Sequence, residues 1–165
     1  MKYFDKKYNP NNIKFHGLDI KNAKKLEVQC YKLLNSIHFP KLISIDKPNV
    51  IRIEHKGEPL NLIKKKIKIP HYKSQIDRII NEFRKKRIVH LDMHESGKNI
   101  CVTDNGIISI IDFDIAVIDN IPLSNRLKQE YNKLLLQTNK KNDIYDIIRN
   151  KLINIIENNK YLILN

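Results

Sequence analysis

The sequence predicts an α+β fold in which a small antiparallel sheet with one helix is followed by a mostly helical part. Short apolar β runs dominate the first third of the chain, an Asn-Gly turn joins two more near residue 105, and helical apolar stripes fill most of the rest. A chain of 165 residues is long enough for one domain with a hydrophobic core. We therefore expect a single domain over 1–165, divided into parts at 1–56 and 57–165.

The first part is predicted to contain three strands and one helix. A polar, charged stretch over 1–11 precedes a short strand at 13–15. Strands over Lys41–Ile45 and Val50–His55 flank a turn and complete the sheet. Five apolar residues at helical spacing predict the helix, and Pro40 closes this region: Leu26, Cys30, Leu33, Leu34 and Ile37.

The second part is predicted to be mostly helical around one β hairpin. Apolar spacing from Ile76 to Ile88 predicts a helix of about 16 residues, and further helices are expected over 123–137 and 143–158. The hairpin joins Asn99–Val102 to Ile107–Ile111 through a turn that contains Asn-Gly. The lysine run over 64–68 is interpreted as a solvated helix face, with a docking patch for a partner as the alternative.

The charge balance indicates an acidic partner, but composition weakens that indication. Lys and Arg number 31 against 18 Asp and Glu, a net charge of +13. Lys (25), Ile (29) and Asn (20) together make 74 of the 165 residues, which is typical of an AT-rich genome. Codon bias is therefore an alternative source of the positive charge. Nucleic-acid binding, which favours Arg and interleaved aromatic residues, is disfavoured because Arg numbers only 6.

The sequence also bears on the compartment. Cys30 and Cys101 lie far apart among apolar neighbours, as buried thiols do in a reducing compartment. No segment reaches the roughly 18 apolar residues of a membrane span, and the charged start of the chain is unlike a cleavable signal peptide. We expect a cytoplasmic protein, or one delivered into a host cell without such a peptide. The oligomeric state is left open.

Chemistry-bearing residues concentrate between Val89 and Asp114. The hairpin folds Asn99 back towards Asp112, which brings both to the end of the structure that also holds Asp92. Two carboxylates and an amide oxygen are hard ligands that suit Mg²⁺, although one carboxylate could instead position a hydroxyl group. The cluster comprises six residues: His90, Asp92, His94, Asn99, Asp112 and Asp114.

These residues resemble two motifs of the protein-kinase-like superfamily. Residues 88–94 (Ile-Val-His-Leu-Asp-Met-His) with Asn99 are similar to its catalytic loop, and 110–114 (Ile-Ile-Asp-Phe-Asp) to its metal-binding loop. Upstream, Glu27 on the first helix stands 13 residues before Pro40, a spacing similar to that of aminoglycoside phosphotransferases, and Lys14 in the preceding β run has the position of the family's phosphate-binding lysine. The resemblance runs in order from about residue 12 to 116.

The resemblance implies a truncated two-lobed kinase-like fold that transfers phosphate from ATP with Mg²⁺. Asp92 would be the catalytic base, while Asn99 and Asp112 would hold the metal. Lys14, paired with Glu27, would contact the α- and β-phosphates. Because the chain has no Gly-rich loop, the lysines of residues 2–7 or groups lent by a partner are alternative phosphate contacts. Residues 54–60, with Glu54 and Lys56, resemble the hinge that holds adenine, and His90 would brace the loop.

The implied acceptor is a Ser or Thr hydroxyl on a protein with an acidic surface. The chain resembles reduced kinases that pathogenic bacteria inject into host cells. A small-molecule hydroxyl, as in aminoglycoside or choline kinases, is the alternative acceptor, and a pseudokinase binding module is a second alternative. His94 could touch phosphate or bond to the backbone.

The sequence departs from the family pattern at three points. Asn99 follows Asp92 by seven residues instead of five, Asp114 stands where D-F-G has glycine, and the first glycine, Gly17, comes too late for a Gly-rich loop. A metal hydrolase built on His90, Asp92, His94 and Asp112 does not explain Lys14 and Glu27. A glycosyltransferase using Asp112 and Asp114 lacks a preceding nucleotide-binding βαβ unit.

Overall fold

The computed structural model describes residues 2–9, 20–118 and 121–165, which form an α+β fold. The described strands are β1 (Tyr3–Lys7), β2 (Leu42–Ser44), β3 (Val50–Glu54), β4 (Glu58–Pro59), β5 (Ile67–Ile69), β6 (Val89–His90), β7 (Ile100–Val102), β8 (Ile108–Ile110), β9 (Ala116–Val117) and β10 (Leu162–Leu164). The described helices are α1 (Ile20–Leu33), α2 (Tyr72–Lys86), α3 (Asn125–Leu135) and α4 (Ile144–Glu157).

The N-terminal sheet has the order β1-β3-β2 and is antiparallel, as predicted for its second and third strands. The sequence predicts no strand before 13–15, but β1 pairs along its whole length with β3 and sets Lys6 opposite Ile51. Tyr8, just beyond the strand, is buried, so aromatic side chains and strand pairing outweigh the local charge. The strand expected at 13–15 lies outside the described residues.

The helix predicted from Leu26 to Ile37 is confirmed in part as α1, which begins earlier and ends at Leu33. Leu26, Cys30 and Leu34 are buried as the stripe predicts, whereas Leu33 is exposed and Ile37 lies exposed beyond the end of the helix. The buried side of α1 is an apolar stripe in which Ala23, Leu26 and Cys30 are almost inaccessible to solvent. This stripe covers the N-terminal sheet and carries Glu27 inward.

The predicted hairpin is confirmed as β7 and β8, in which Ile100 pairs with Ile110 and Val102 with Ile108. Gly106 closes the turn with φ 74°, and a Cβ there would lie 2.1 Å from the carbonyl oxygen of Lys68. Only glycine fits both the backbone angle and the space. On its other edge the hairpin pairs with β4, so the segment after β3 is tied to it.

The interpretation of 64–68 as a helix face is wrong. Ile67 and Ile69 are buried while Lys68 between them is exposed, which is the alternation of a strand. This strand, β5, pairs in parallel with β10. The exposed Lys65 instead forms an ion pair with Asp104 across 2.6 Å.

The remaining helices confirm their predictions. α2 packs against α4, and the two helices bury Phe83, Leu152 and Ile156 between the hairpin and the end of the chain. α3 and α4 correspond to the helices expected over 123–137 and 143–158. Among the described helices none has the length and apolar character that crossing a membrane requires.

Candidate active site

The site is built around Glu27, a carboxylate that α1 carries into the interior with no exposed surface. Its Oε2 accepts hydrogen bonds from Lys6 Nζ at 2.6 Å and from the Tyr8 hydroxyl at 2.7 Å. Its Oε1 accepts from the Tyr31 hydroxyl at 2.9 Å and from the Phe113 backbone amide at 3.2 Å. Four donors satisfy the buried charge, so Glu27 holds its neighbours in position and has little capacity for a further ligand.

Lys6 links Glu27 to the two carboxylates at the start of the segment after the hairpin. Its ammonium group contacts Asp112 and lies 3.3 Å from Asp114 Oδ2. Burial alone would lower the pKa of Lys6, but the three surrounding carboxylates raise it well above its ordinary value. Lys6 is therefore a permanent cation at the centre of three acidic groups.

The turn formed by Asp112, Phe113 and Asp114 is held in place by hydrogen bonds to α1. Asp112 has φ 68°, a left-handed conformation that is unfavourable for a residue other than glycine. Its amide donates to the Tyr31 hydroxyl at 3.2 Å, and that hydroxyl in turn donates to Glu27. α1 therefore determines where the Asp112 carboxylate points.

Phe113 anchors this turn in an aromatic cluster. Its ring is fully buried and meets Tyr31 edge-on, with ring centroids 5.4 Å apart. It also contacts Phe83 of α2 at 6.0 Å and His90 at 4.9 Å. The two helices and the loop that carries Asp92 thus pack on one side chain of the turn.

The two aspartates of the turn have different acidities. Burial opposes the charge on Asp112, but Lys6 outweighs burial and holds the pKa of Asp112 below its usual value. Burial, together with the neighbouring charges of Asp112 and Glu27, raises the pKa of Asp114 to about 7 despite Lys6. A cation near the two groups would favour the charged form of Asp114 as well.

Asp92 and Asn99 meet as the sequence predicts. The Asn99 side-chain nitrogen donates to the Asp92 backbone oxygen at 2.7 Å and to its Oδ2 at 2.9 Å. The Ile111 amide donates to the Asn99 carbonyl at 3.0 Å, which ties Asn99 to the residue before Asp112. No described residue donates a hydrogen bond to Asn99 Oδ1 or to Asp92 Oδ1, so both oxygens are available to a ligand.

His90 supports the loop that carries Asp92 through two hydrogen bonds to the backbone. Its Nδ1 accepts the Asp92 amide at 3.2 Å, and its Nε2 lies 3.0 Å from the Ile111 carbonyl oxygen. This pair of contacts requires a neutral ring with the proton on Nε2. Burial lowers the pKa of His90 and favours the same form. The ring therefore positions Asp92 and does not face the open side of the site.

The two additional residues between Asp92 and Asn99 form a turn that places Lys98 next to Asp92. Gly97 has φ 71°, and a Cβ there would lie 2.7 Å from the Leu60 side chain. The next residue, Lys98, places its Nζ 2.8 Å from Asp92 Oδ2. His94 instead bonds to Ser96, 2.9 Å from its hydroxyl oxygen, within the turn.

Glu54 and Lys56 lie where β3 ends and the chain passes to β4. The two side chains form an ion pair at 3.0 Å, and both are mostly buried. Glu54 Oε2 also accepts the Lys41 amide at 3.3 Å. These side chains therefore fix the path of the connecting segment, and Gly57 packs on the hairpin, where a Cβ would lie 2.2 Å from the Val102 carbonyl oxygen.

Carboxylates able to hold a divalent cation are present in the described residues. One oxygen from each of Glu27, Asp112 and Asp114 lies within 4.8 Å of the others. Because Glu27 is saturated by its donors, Asp112 and Asp114 are the two that can turn towards an ion, and both are partly exposed. This oxygen donor set suits Mg²⁺.

Sequence reasoning missed Tyr31 and Lys98, and it favoured Lys14 over Lys6. Lys14 lies outside the described residues, and the lysine that the structure places on Glu27 is Lys6, one of the lysines over 2–7 that the sequence offers as alternative phosphate contacts. The apolar flanks of Lys14 drew attention to it, whereas the signal for Lys6 was the alternation that sets it between Phe4 and Tyr8 on one face of a strand. Lys98 and Tyr31 carried no recognisable spacing.

Comparison with models of protein families finds no matching family, and comparison with curated proteins finds no match either. The function must therefore be inferred from the residues of the site.

Proposed function

We propose that this chain is a phosphotransferase that uses ATP and Mg²⁺ and has a truncated two-lobed kinase-like fold. The observation that carries the proposal is the Lys6–Glu27 ion pair, which reaches Asp112 at the open end of the hairpin, the same end at which Asn99 binds Asp92. Phosphoryl transfer depends on such positioned charges more than on covalent chemistry.

The proposed roles follow from the contacts. Asp92 receives the proton of the acceptor hydroxyl through Oδ1, because Lys98 and Asn99 both bind Oδ2. Lys6 contacts the phosphates, and Glu27 holds its ammonium group in place. Asp112 turns towards the metal, with Asn99 Oδ1 or Asp114 as the second ligand. Mg²⁺ in this chemistry neutralises charge on the transferred phosphate.

The proposed acceptor is a Ser or Thr hydroxyl on an acidic protein, which the net charge of +13 supports. Both cysteines are buried free thiols, which suits a reducing compartment. We therefore propose that the chain acts in the cytoplasm or in a host cell that receives it.

A small-molecule hydroxyl is the second candidate acceptor, and one observation favours it. The chain passes from β9, which ends at Val117, to α3, which begins at Asn125. A segment this short after Asp114 offers little backbone along which an extended peptide could lie. A protein substrate would then dock mainly through surfaces away from the site.

The test measures transfer from radiolabelled ATP with Mg²⁺ to the chain itself, to a panel of proteins, and to aminoglycosides, choline and nucleosides. Asp92→Ala should retain ATP binding and lose transfer by about 10²-fold or more. Asp112→Ala should lose transfer by a similar factor and lose Mg²⁺-dependent ATP binding as well. The matched control is Asp104→Asn, which removes an exposed carboxylate at the hairpin turn.

Transfer by Asp92→Ala at the wild-type rate would contradict the assignment of the base. ATP binding by the wild type with no transfer to any acceptor would identify a pseudokinase. Label on a small molecule and on no protein would establish the second candidate.

A further inference from the structure

A groove of about 630 Å³ lies between the outer face of α1 and the turn that joins β2 to β3. Its apolar lining residues are Val28, Ile45 and Pro48, which we call the floor of the groove. Ile45 is 45% exposed although its side chain is large and apolar. None of the described residues that line the groove belongs to the candidate active site, so the two are separate.

The rim of the groove is positively charged. Four lysines of α1 line it: Lys21, Lys24, Lys25 and Lys32. Lys24 donates to the carbonyl oxygens of Lys47 at 2.6 Å and Pro48 at 3.0 Å, and these neutral groups do not cancel its charge. No carboxylate lines the groove among the described residues.

These lysines are placed unfavourably for the isolated helix. Lys24 and Lys25 lie three and four residues after Lys21, where like charges on a helix repel. A bound anionic group would relieve this repulsion.

We propose that this groove docks an acidic segment of a partner protein, with one apolar side chain of the segment on the floor formed by Val28 and Ile45. The charge of the rim selects acidic residues, and the apolar floor selects a side chain that a phosphate backbone does not offer. The described residues that line the groove include no arginine and no aromatic residue on which bases could stack, so a nucleic acid fits it less well. The proposal goes beyond phosphoryl transfer and does not depend on it.

The test uses a fluorescein-labelled peptide of mixed Asp and Glu with a Leu-Phe pair at its centre, and measures anisotropy with the full chain. A variant with Lys21→Gln, Lys25→Gln and Lys32→Gln should bind it at least about tenfold more weakly than wild type. The matched control changes the same charge elsewhere, through Lys140→Gln, Lys141→Gln and Lys151→Gln on exposed positions. Circular dichroism checks that both variants are folded.

The apolar part is tested separately. Ile45→Ser should weaken binding several-fold, whereas Leu136→Ser, which removes an 85% exposed leucine, should not. A peptide with Ser-Gly in place of Leu-Phe should bind the wild type as weakly as the original peptide binds Ile45→Ser.

Three results would overturn the proposal. The first is equal weakening by the two lysine variants, which indicates attraction to net charge alone. The second is no binding of the peptide by the wild type. The third is tighter binding of single-stranded DNA or of phosphatidylserine vesicles, lost in the groove variant.

Discussion

Lys6 is the residue on which the candidate site depends. It is the ammonium group that contacts three carboxylates at once, and Glu27 beneath it is fully buried. Removing a cation from a buried carboxylate leaves an uncompensated charge, which costs far more than an exposed ion pair contributes. The same substitution would remove the proposed phosphate contact, so stability and activity are both expected to change.

We expect Lys6→Met to lower the free energy of unfolding by about 3 kcal/mol and transfer by about 10²-fold or more. Adding Glu27→Gln to this variant removes the uncompensated charge, so part of the stability should return while activity does not. Urea unfolding and the transfer assay give the two measurements.

The neighbouring lysine provides the control for this prediction. Lys7→Met changes an exposed residue of the same strand and should leave both quantities near wild type. Lys14→Met tests the lysine that the sequence pattern favours. A large loss of transfer in Lys14→Met, with wild-type transfer in Lys6→Met, would return the phosphate role to Lys14.

Lys98 is a second residue whose contact predicts a measurable effect. Its ammonium group shares Asp92 Oδ2 with Asn99 and leaves Oδ1 for the proposed acceptor hydroxyl, and the hydrogen bond to Asp92 raises the pKa of Lys98. Lys98→Ala should reduce kcat by about tenfold or more and change the Kd for ATP little. Lys98→Arg should recover part of the rate, because a cation at Asp92 is restored.

The exposed Lys151→Ala serves as the matched control for Lys98→Ala. An unchanged kcat in Lys98→Ala, or a fall in kcat that Lys98→Arg does not reverse at all, would contradict this role.

At the level of secondary-structure elements, the sequence predicted the helices and the hairpin whose formation depends on residues close together in the chain. The Asn-Gly turn determines the β7–β8 hairpin, and the apolar period determines α2, so both appear in the sequence. Strand β5 was missed because Lys68 and its neighbours look like a charged run, and only pairing with the distant β10 makes them a strand. Lys6 could not be singled out from the other lysines of residues 2–7 for the same reason, since contacts between β1 and α1 depend on the order of the strands in the sheet.

The start of α4 predicts a pH dependence of stability. The Asp143 side chain accepts the amides of Tyr145 at 2.9 Å and Asp146 at 3.0 Å, and Arg84 of α2 contacts it at 3.1 Å. Partial burial opposes the charge of Asp143, but Arg84 and the two amides lower its pKa below the usual value. Its contribution to stability is therefore present above the unfolded-state pKa, about 3.9, and is lost as pH falls through the folded-state pKa.

We expect the free energy of unfolding of the wild type to fall more steeply below about pH 4 than that of Asp143→Asn. Asp143→Ala should also cost about 1 kcal/mol at pH 7 through loss of the cap. Urea unfolding at a series of pH values measures both effects. Glu95→Gln, which changes an exposed residue that makes no hydrogen bond to other described residues, is the charge-matched control. Parallel pH profiles for wild type and Asp143→Asn would contradict the prediction.

At the level of the whole molecule, positive charge surrounds an acidic site. The net charge is +13, yet the candidate site gathers Glu27, Asp112 and Asp114 around one lysine. Part of the positive charge is used internally, since Arg84 contacts Asp143 and Asp146. The exposed lysines produce a field that reaches about one Debye length, roughly 8 Å at physiological salt. Such a field attracts any protein with an acidic surface, but it does not determine which residue of that protein is recognised.

This field allows salt to distinguish the two proposed acceptor classes. With saturating ATP, the KM for an acidic protein acceptor should rise several-fold between low and high ionic strength, because salt screens the long-range attraction that brings the two proteins together. The kcat should change little, since the contacts of Asp92 with Lys98 and Asn99 are short and partly shielded from solvent. A basic protein acceptor should show the opposite trend or no trend, which separates charge attraction from a general effect of salt on the protein.

A neutral small-molecule acceptor lacks a charged surface for the field to act on, so its KM should not depend on salt. Transfer to that acceptor alone, with a KM independent of ionic strength, would identify a small-molecule kinase and exclude the protein acceptor.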